Sequence, residues 1–168
     1  MKFTLSKRLL VLLLTPAFLF AFTPTVYKSN FSGDWKLNES KSELGEFGRF
    51  AVRIIKASQS DESITITRTA PSFNGDDMTN SETLSYDGKE TETTVFENSK
   101  RKSSAKWSDD GKILTINYTL LLDFNGQTMD IKGTEAWTIS DDGKNLTVQI
   151  KSSSPQGEFS WKAVYDKQ

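Results

Sequence analysis

The sequence predicts an all-β fold, an antiparallel up-and-down β-barrel of about 8–10 strands. Three observations carry this. Apolar and polar residues alternate with a period of two through about ten runs between Phe31 and Tyr165, as strands with one buried face require. Asp-Gly or Asn-Gly pairs stand between runs at Asp87-Gly88, Asp110-Gly111, Asn125-Gly126 and Asp142-Gly143, and these residues accept the positive φ that tight hairpins need. No segment carries a convincing amphipathic helical pattern. Consecutive hairpins that bury one face must protect their edges, which favours closure over an open sheet.

Taken in order, residues 1–23 read as a secretory signal peptide. Lys2, Lys7 and Arg8 precede an apolar run from Leu9 to Phe22, interrupted by Thr15 and Pro16. The run is shorter than the roughly 20 apolar residues of a membrane span, and no second apolar segment follows. The barrel domain is expected over residues 30–167, in a secreted or periplasmic protein with no membrane span in its mature chain. Its first strand is Phe31–Leu37, where Phe31, Gly33, Trp35 and Leu37 alternate with polar residues and Trp35 is placed to plug one end of the barrel.

Asn38–Phe50 is polar and Gly-containing, so a loop or at most a turn of helix is expected. Phe50–Ser58 and Ser63–Thr69 follow as strands, with Ile64, Ile66 and Arg68 on one face. Pro71–Asn80 is read as a loop broken by Pro71, Asn74 and Gly75. The meander continues through Ser81–Tyr86, Glu90–Phe96, Arg101–Trp107, Ile113–Phe124, Gln127–Ile139, Leu146–Ser152 and Phe159–Tyr165. Trp107–Thr115 and Ile139–Thr147 are near-repeats, best read as one turn solution used twice.

Composition excludes several function classes. The chain has 168 residues, no His and no Cys. That removes His-based acid/base catalysis, Ser-His-Asp triads, thiol nucleophiles, thiolate metal sites and disulfides. Three of the 21 basic residues lie in the leader, which leaves 18 against 22 acidic groups, a net charge of −4 in the barrel. A mildly acidic body has no electrostatic reason to bind nucleic acid. The pairs Asp76-Asp77, Asp109-Asp110 and Asp141-Asp142 lack the run of oxygen ligands that a calcium loop supplies and fit turn chemistry. No catalytic residue, metal or cofactor is expected, and the chain is expected to be a monomer.

Alternation groups Leu114, Ile116, Tyr118, Leu120, Leu122 and Phe124 on one face, and Met129, Ile131, Gly133, Glu135, Trp137 and Ile139 on the next. Phe159, Trp161, Ala163 and Tyr165 share the corresponding face of the last strand. A packed core and a lipophilic cavity have this same composition. Arg68 and Glu135 are charged residues on otherwise apolar faces, where burial is costly without a partner. They would orient the polar end of a ligand lying against Tyr118, Met129, Trp137 and Trp161, or they pair with each other or sit at a barrel mouth. Arg53 and Arg101 are alternatives for the polar role.

The Gly33-x-Trp35 placement, the meander and the length together resemble the calycins, the lipocalins and fatty-acid-binding proteins. Phe31–Ser42, Ser140–Thr147 and Lys162–Lys167 are similar to phrases of small exported lipocalin-like bacterial proteins. The resemblance implies an antiparallel barrel whose base is closed by Gly33 and Trp35, with small apolar ligands in the cavity. Lipocalins set a basic residue of the last strand over that Trp, and Lys162 is the candidate here. The expected function is non-catalytic binding or carriage of a small hydrophobic ligand. The alternative is an envelope interaction or structural module with a filled barrel.

Overall fold

The computed structural model describes residues 26–168 except 73, 74 and 125. The expected leader and the turn residues Asn74 and Asn125 therefore lie outside the described residues. Ten strands form one sheet: β1 (Gly33–Leu37), β2 (Ile54–Gln59), β3 (Ser63–Pro71), β4 (Asp77–Ser85), β5 (Thr91–Phe96), β6 (Ser99–Trp107), β7 (Leu114–Phe124), β8 (Gln127–Ile139), β9 (Asn145–Ser154) and β10 (Gly157–Lys167). Their order is β4-β3-β2-β1-β10-β9-β8-β7-β6-β5, all neighbours antiparallel. The first strand meets the last, with Trp35 opposite Lys167 and Leu37 opposite Tyr165, so the meander curls into a nearly closed barrel. The sheet ends at β4 and β5, where the Thr91 hydroxyl donates to the Thr83 carbonyl at 3.3 Å.

Several boundaries differ from the sequence reading; the second strand, expected from Phe50, begins at Ile54, and Phe50 ends a 3-10 turn. The expected loop Pro71–Asn80 is strand at both ends, because β3 runs to Pro71 and β4 begins at Asp77. This hairpin is held on its outer face by hydroxyl pairs rather than apolar ones: Thr65 with Thr83 at 2.9 Å, Thr67 with Ser81 at 3.1 Å, and Thr69 with Thr79 at 2.8 Å. Each pair joins residues directly opposite in register, the geometry in which Thr and Ser stabilise a sheet. The last strand extends past Tyr165 to Lys167. The first begins at Gly33, leaving Phe31 to a different task.

Phe31 enters the end of the barrel. Its ring stacks on Trp107 with centroids 5.5 Å apart and meets Trp137 edge-on at 5.8 Å, while its carbonyl accepts from Trp35 Nε1 at 2.9 Å. Phe31, Trp35 and Trp137 are all fully buried. The segment is tied down by Gln59, whose side-chain oxygen accepts from the Phe31 N–H at 3.0 Å and whose amide nitrogen donates to the Ser29 carbonyl at 3.0 Å. Gly33 turns the chain from this plug into β1 at φ +139°, in a region that favours glycine.

Three hairpins at this end share one device. Asp87, Asp110 and Asp142 each accept the backbone N–H two residues on, from Lys89, Lys112 and Lys144 at 3.0–3.1 Å. The intervening Gly88, Gly111 and Gly143 take φ of 79°, 69° and 70°. The acidic pairs at Asp109 and Asp141 thus belong to turns of one design. Between β1 and β2 lie two short 3-10 turns, Glu39–Lys41 and Gly45–Phe50. The Asn38 side chain caps the first by accepting from the Lys41 N–H at 3.1 Å.

Candidate functional site

The inward faces of the strands do not fill the barrel. Above the plug lies a cavity of about 540 Å³, lined from Trp137 and Tyr165 outward to Pro71, Phe96 and Met129. The connection between β1 and β2 adds Phe50, Ala51 and Val52 to the lining. All six residues read from sequence as ligand contacts, Arg68, Tyr118, Met129, Glu135, Trp137 and Trp161, border this one space. Trp35 does not; it belongs to the packed core at the closed end.

At the inner end of the cavity four charged side chains form one network. Arg68 donates from Nη1 to Glu82 Oε1 and from Nη2 to Glu135 Oε2, the latter at 3.1 Å. Arg101 donates from Nη2 to Glu135 Oε1 at 2.7 Å, and its Nε lies 3.5 Å from Glu82 Oε1. Trp137 Nε1 donates to Glu135 Oε2 at 2.9 Å. Register explains the convergence: Arg68 is on β3, Glu82 on β4, Arg101 on β6 and Glu135 on β8, each at an inward position of its strand.

Aromatic rings cover the guanidinium faces. Arg101 Cζ sits 4.1 Å from the Tyr118 ring centroid and Arg68 Cζ sits 5.7 Å from that of Trp137. Tyr118 can lie against the sheet because its cross-strand partner is Gly133; a Cβ there would come within 2.4 Å of the Tyr118 ring. Arg101, Tyr118 and Gly133 therefore work as one stack.

Burial alone would raise the Glu135 carboxyl, but Arg68, then Arg101 and the Trp137 N–H, outweigh it and hold Glu135 down at about 2. Burial would likewise lower the Arg68 guanidinium, and Glu135 and Glu82 reverse this to a raised value. The sign of the pH dependence follows. Glu135 is ionised in both states above about 4.5, so its stabilisation is complete there and is lost as pH falls toward about 2. Thermal unfolding followed across this window should show melting temperature falling steadily below pH 4.5, with a shallower fall in Glu135→Gln. Equal slopes in both proteins would assign the acid sensitivity to other carboxylates, such as the exposed Asp110 and Asp142, whose values are also lowered.

The expected alternative that Arg68 and Glu135 pair with each other matches the structure, whereas Arg53 and Lys162 lie elsewhere than expected. Arg53 faces solvent and meets Asp77 at 3.2 Å, so it has no place in the cavity. Of the two alternatives, Arg101 is the internal one. Lys162 lies outside the barrel against Glu43. The basic residue over Trp35 is Lys167, with Nζ 5.3 Å from the ring centroid, reached because β10 is longer than its apolar pattern. Glu82 and Tyr165 were not singled out. The alternation Glu82-x-Leu84-x-Tyr86 was the available signal for Glu82, and Tyr165 shares a face with Trp161.

Among solved structures, the chain is similar to zebrafish ileal bile acid-binding protein in complex with cholic acid, at 21% identity with a TM-score of 0.50. The likeness covers 82% of this chain and 98% of the zebrafish protein, and it is a likeness of fold, the calycin-like barrel. No protein-family model and no curated protein sequence matches the chain.

Proposed function

We propose that the protein binds or carries a small hydrophobic molecule inside its barrel and performs no chemistry on it. The observation that carries this reading is the largely apolar cavity of about 540 Å³. Small-molecule sites typically span about 300–1,000 Å³, with mostly apolar walls and a few convergent polar groups. Tyr118, Met129, Trp137 and Trp161 supply apolar contact, and the Arg68–Glu135 cluster is the polar feature against which a ligand orients. The absence of His and Cys from the sequence supports the non-catalytic part. The zebrafish protein of similar fold was solved in complex with cholic acid, which supports a small-molecule occupant here. The protein works after export, secreted or periplasmic, as a monomer without a cofactor. An envelope interaction module with a filled barrel would need an interior without this space.

Native mass spectrometry of the protein purified from its host should find a retained small molecule. Nile red should bind saturably, and Leu120→Trp, which fills the middle of the cavity, should weaken it at least about tenfold with far-UV circular dichroism unchanged. No retained mass together with no saturable dye binding would sink the reading.

A further inference from the structure

We infer that the cavity selects uncharged molecules and rejects carboxylates, because its two arginines are already neutralised by two glutamates. The inference rests on the reading of the cavity as a ligand site and names the class of ligand it takes. Arg68, Glu82, Arg101 and Glu135 are the charged residues among the described lining of the cavity, and their charges sum to zero. Each arginine is placed against both carboxylates: Arg68 bonds Glu82 and Glu135, and Arg101 bonds Glu135 and lies 3.5 Å from Glu82. Both Glu135 oxygens are occupied by guanidinium groups, and a face of each guanidinium is covered by Tyr118 or Trp137.

Glu82 adds an asymmetry. Its Oε1 meets both arginines, but its Oε2 is buried without a hydrogen-bond partner. The polar end of the cavity therefore offers no free cation among the described residues, and it encloses a carboxylate oxygen that no protein donor reaches. A carboxylate entering it would surrender its hydration, find both cations engaged, and face two buried anions within the same cluster. An ester or an alcohol of the same length carries no charge to desolvate and loses far less there.

The test is displacement of Nile red from the full chain by methyl dodecanoate and by dodecanoate, which differ in charge and little in shape. The ester should displace the dye at a concentration at least about tenfold lower. Any apolar cavity would favour the ester to some degree, so the decisive quantity is how the ratio responds to the cluster. Glu82→Gln keeps the side-chain size and leaves the cluster one positive charge in excess, and the ester-to-acid preference should fall by about tenfold or more. Arg101→Gln shifts the balance the other way, and the preference should widen; if Glu82→Gln does not fold, this variant decides alone. A preference that moves in neither variant overturns the inference, as does dodecanoate binding the native chain as tightly as the ester. In those cases the cavity reading stands. If Nile red binds the native chain saturably and neither probe displaces it, this inference is overturned while the cavity reading stands; the cavity reading falls only if the native chain neither retains a mass nor binds the dye saturably.

Discussion

Glu135→Gln should lower the stability of the barrel by about 3–5 kcal/mol, the range found when one partner of a buried ion pair is removed. Gln keeps the shape of Glu and can still accept from Trp137 Nε1, so the loss isolates the charge. That charge holds both arginines: Oε2 accepts from Arg68 at 3.1 Å and Oε1 from Arg101 at 2.7 Å. Without it, two guanidinium groups with 14% exposed side chains share the single carboxylate of Glu82. Arg68→Met in the Glu135→Gln background should cost much less than the two single losses added together, because it removes one of the stranded cations. Denaturant melts of the four proteins of this cycle measure the coupling. A loss below about 1 kcal/mol for Glu135→Gln, the scale of exposed ion pairs, would mean that water screens the cluster.

The cluster also shows what could be read from the chain in advance. Arg68 and Glu135 were legible because each interrupts an apolar face: Ile64 and Ile66 precede Arg68, and Trp137 and Ile139 follow Glu135. Arg101 was an alternative on a strand with a weaker face assignment, and Glu82 was missed. The inward residues of β4 are Met78, Asn80, Glu82 and Leu84, so only Leu84 and Tyr86 beyond it mark the apolar face, and those of β6 begin Ser99, Arg101, Ser103, with no apolar neighbour before Ala105. A second signal for these strands lay on the outer faces. Thr79, Ser81 and Thr83 alternate in β4 opposite Thr65, Thr67 and Thr69, and Lys100 and Lys102 flank Arg101 in β6. Cross-strand hydroxyl pairing marks a strand where its inward face does not alternate cleanly.

The barrel itself was legible because period two, hairpin turns and the Gly33-x-Trp35 phrase agree with one another. The cavity was not. Leu120, Leu122, Met129 and Ile131 would look the same in sequence whether they touched each other or bordered empty space. Only the distance between opposite walls separates the two, and that distance depends on strand number and stagger rather than on residue type.

Trp35→Ala should separate stability from binding. The side chain is fully buried, its Nε1 donates to the Phe31 carbonyl at 2.9 Å, and Lys167 covers its ring. Truncation removes a large buried ring and leaves a void under Phe31, which should cost about 3–5 kcal/mol. The loss should release the Phe31 plug as well, since that hydrogen bond holds the plug to β1. Yet Trp35 does not border the cavity, and the walls that do are carried by β2 to β10 and by the connection between β1 and β2. At a temperature where the variant is still folded, its affinity for Nile red should stay within about twofold of the native protein. A tenfold loss of dye affinity with a small loss of stability would reverse the assignment and make Trp35 a contact residue. The two measurements bear on different ends of the barrel: the closed end sets how well the fold holds, and the charged cluster above it sets what the cavity admits.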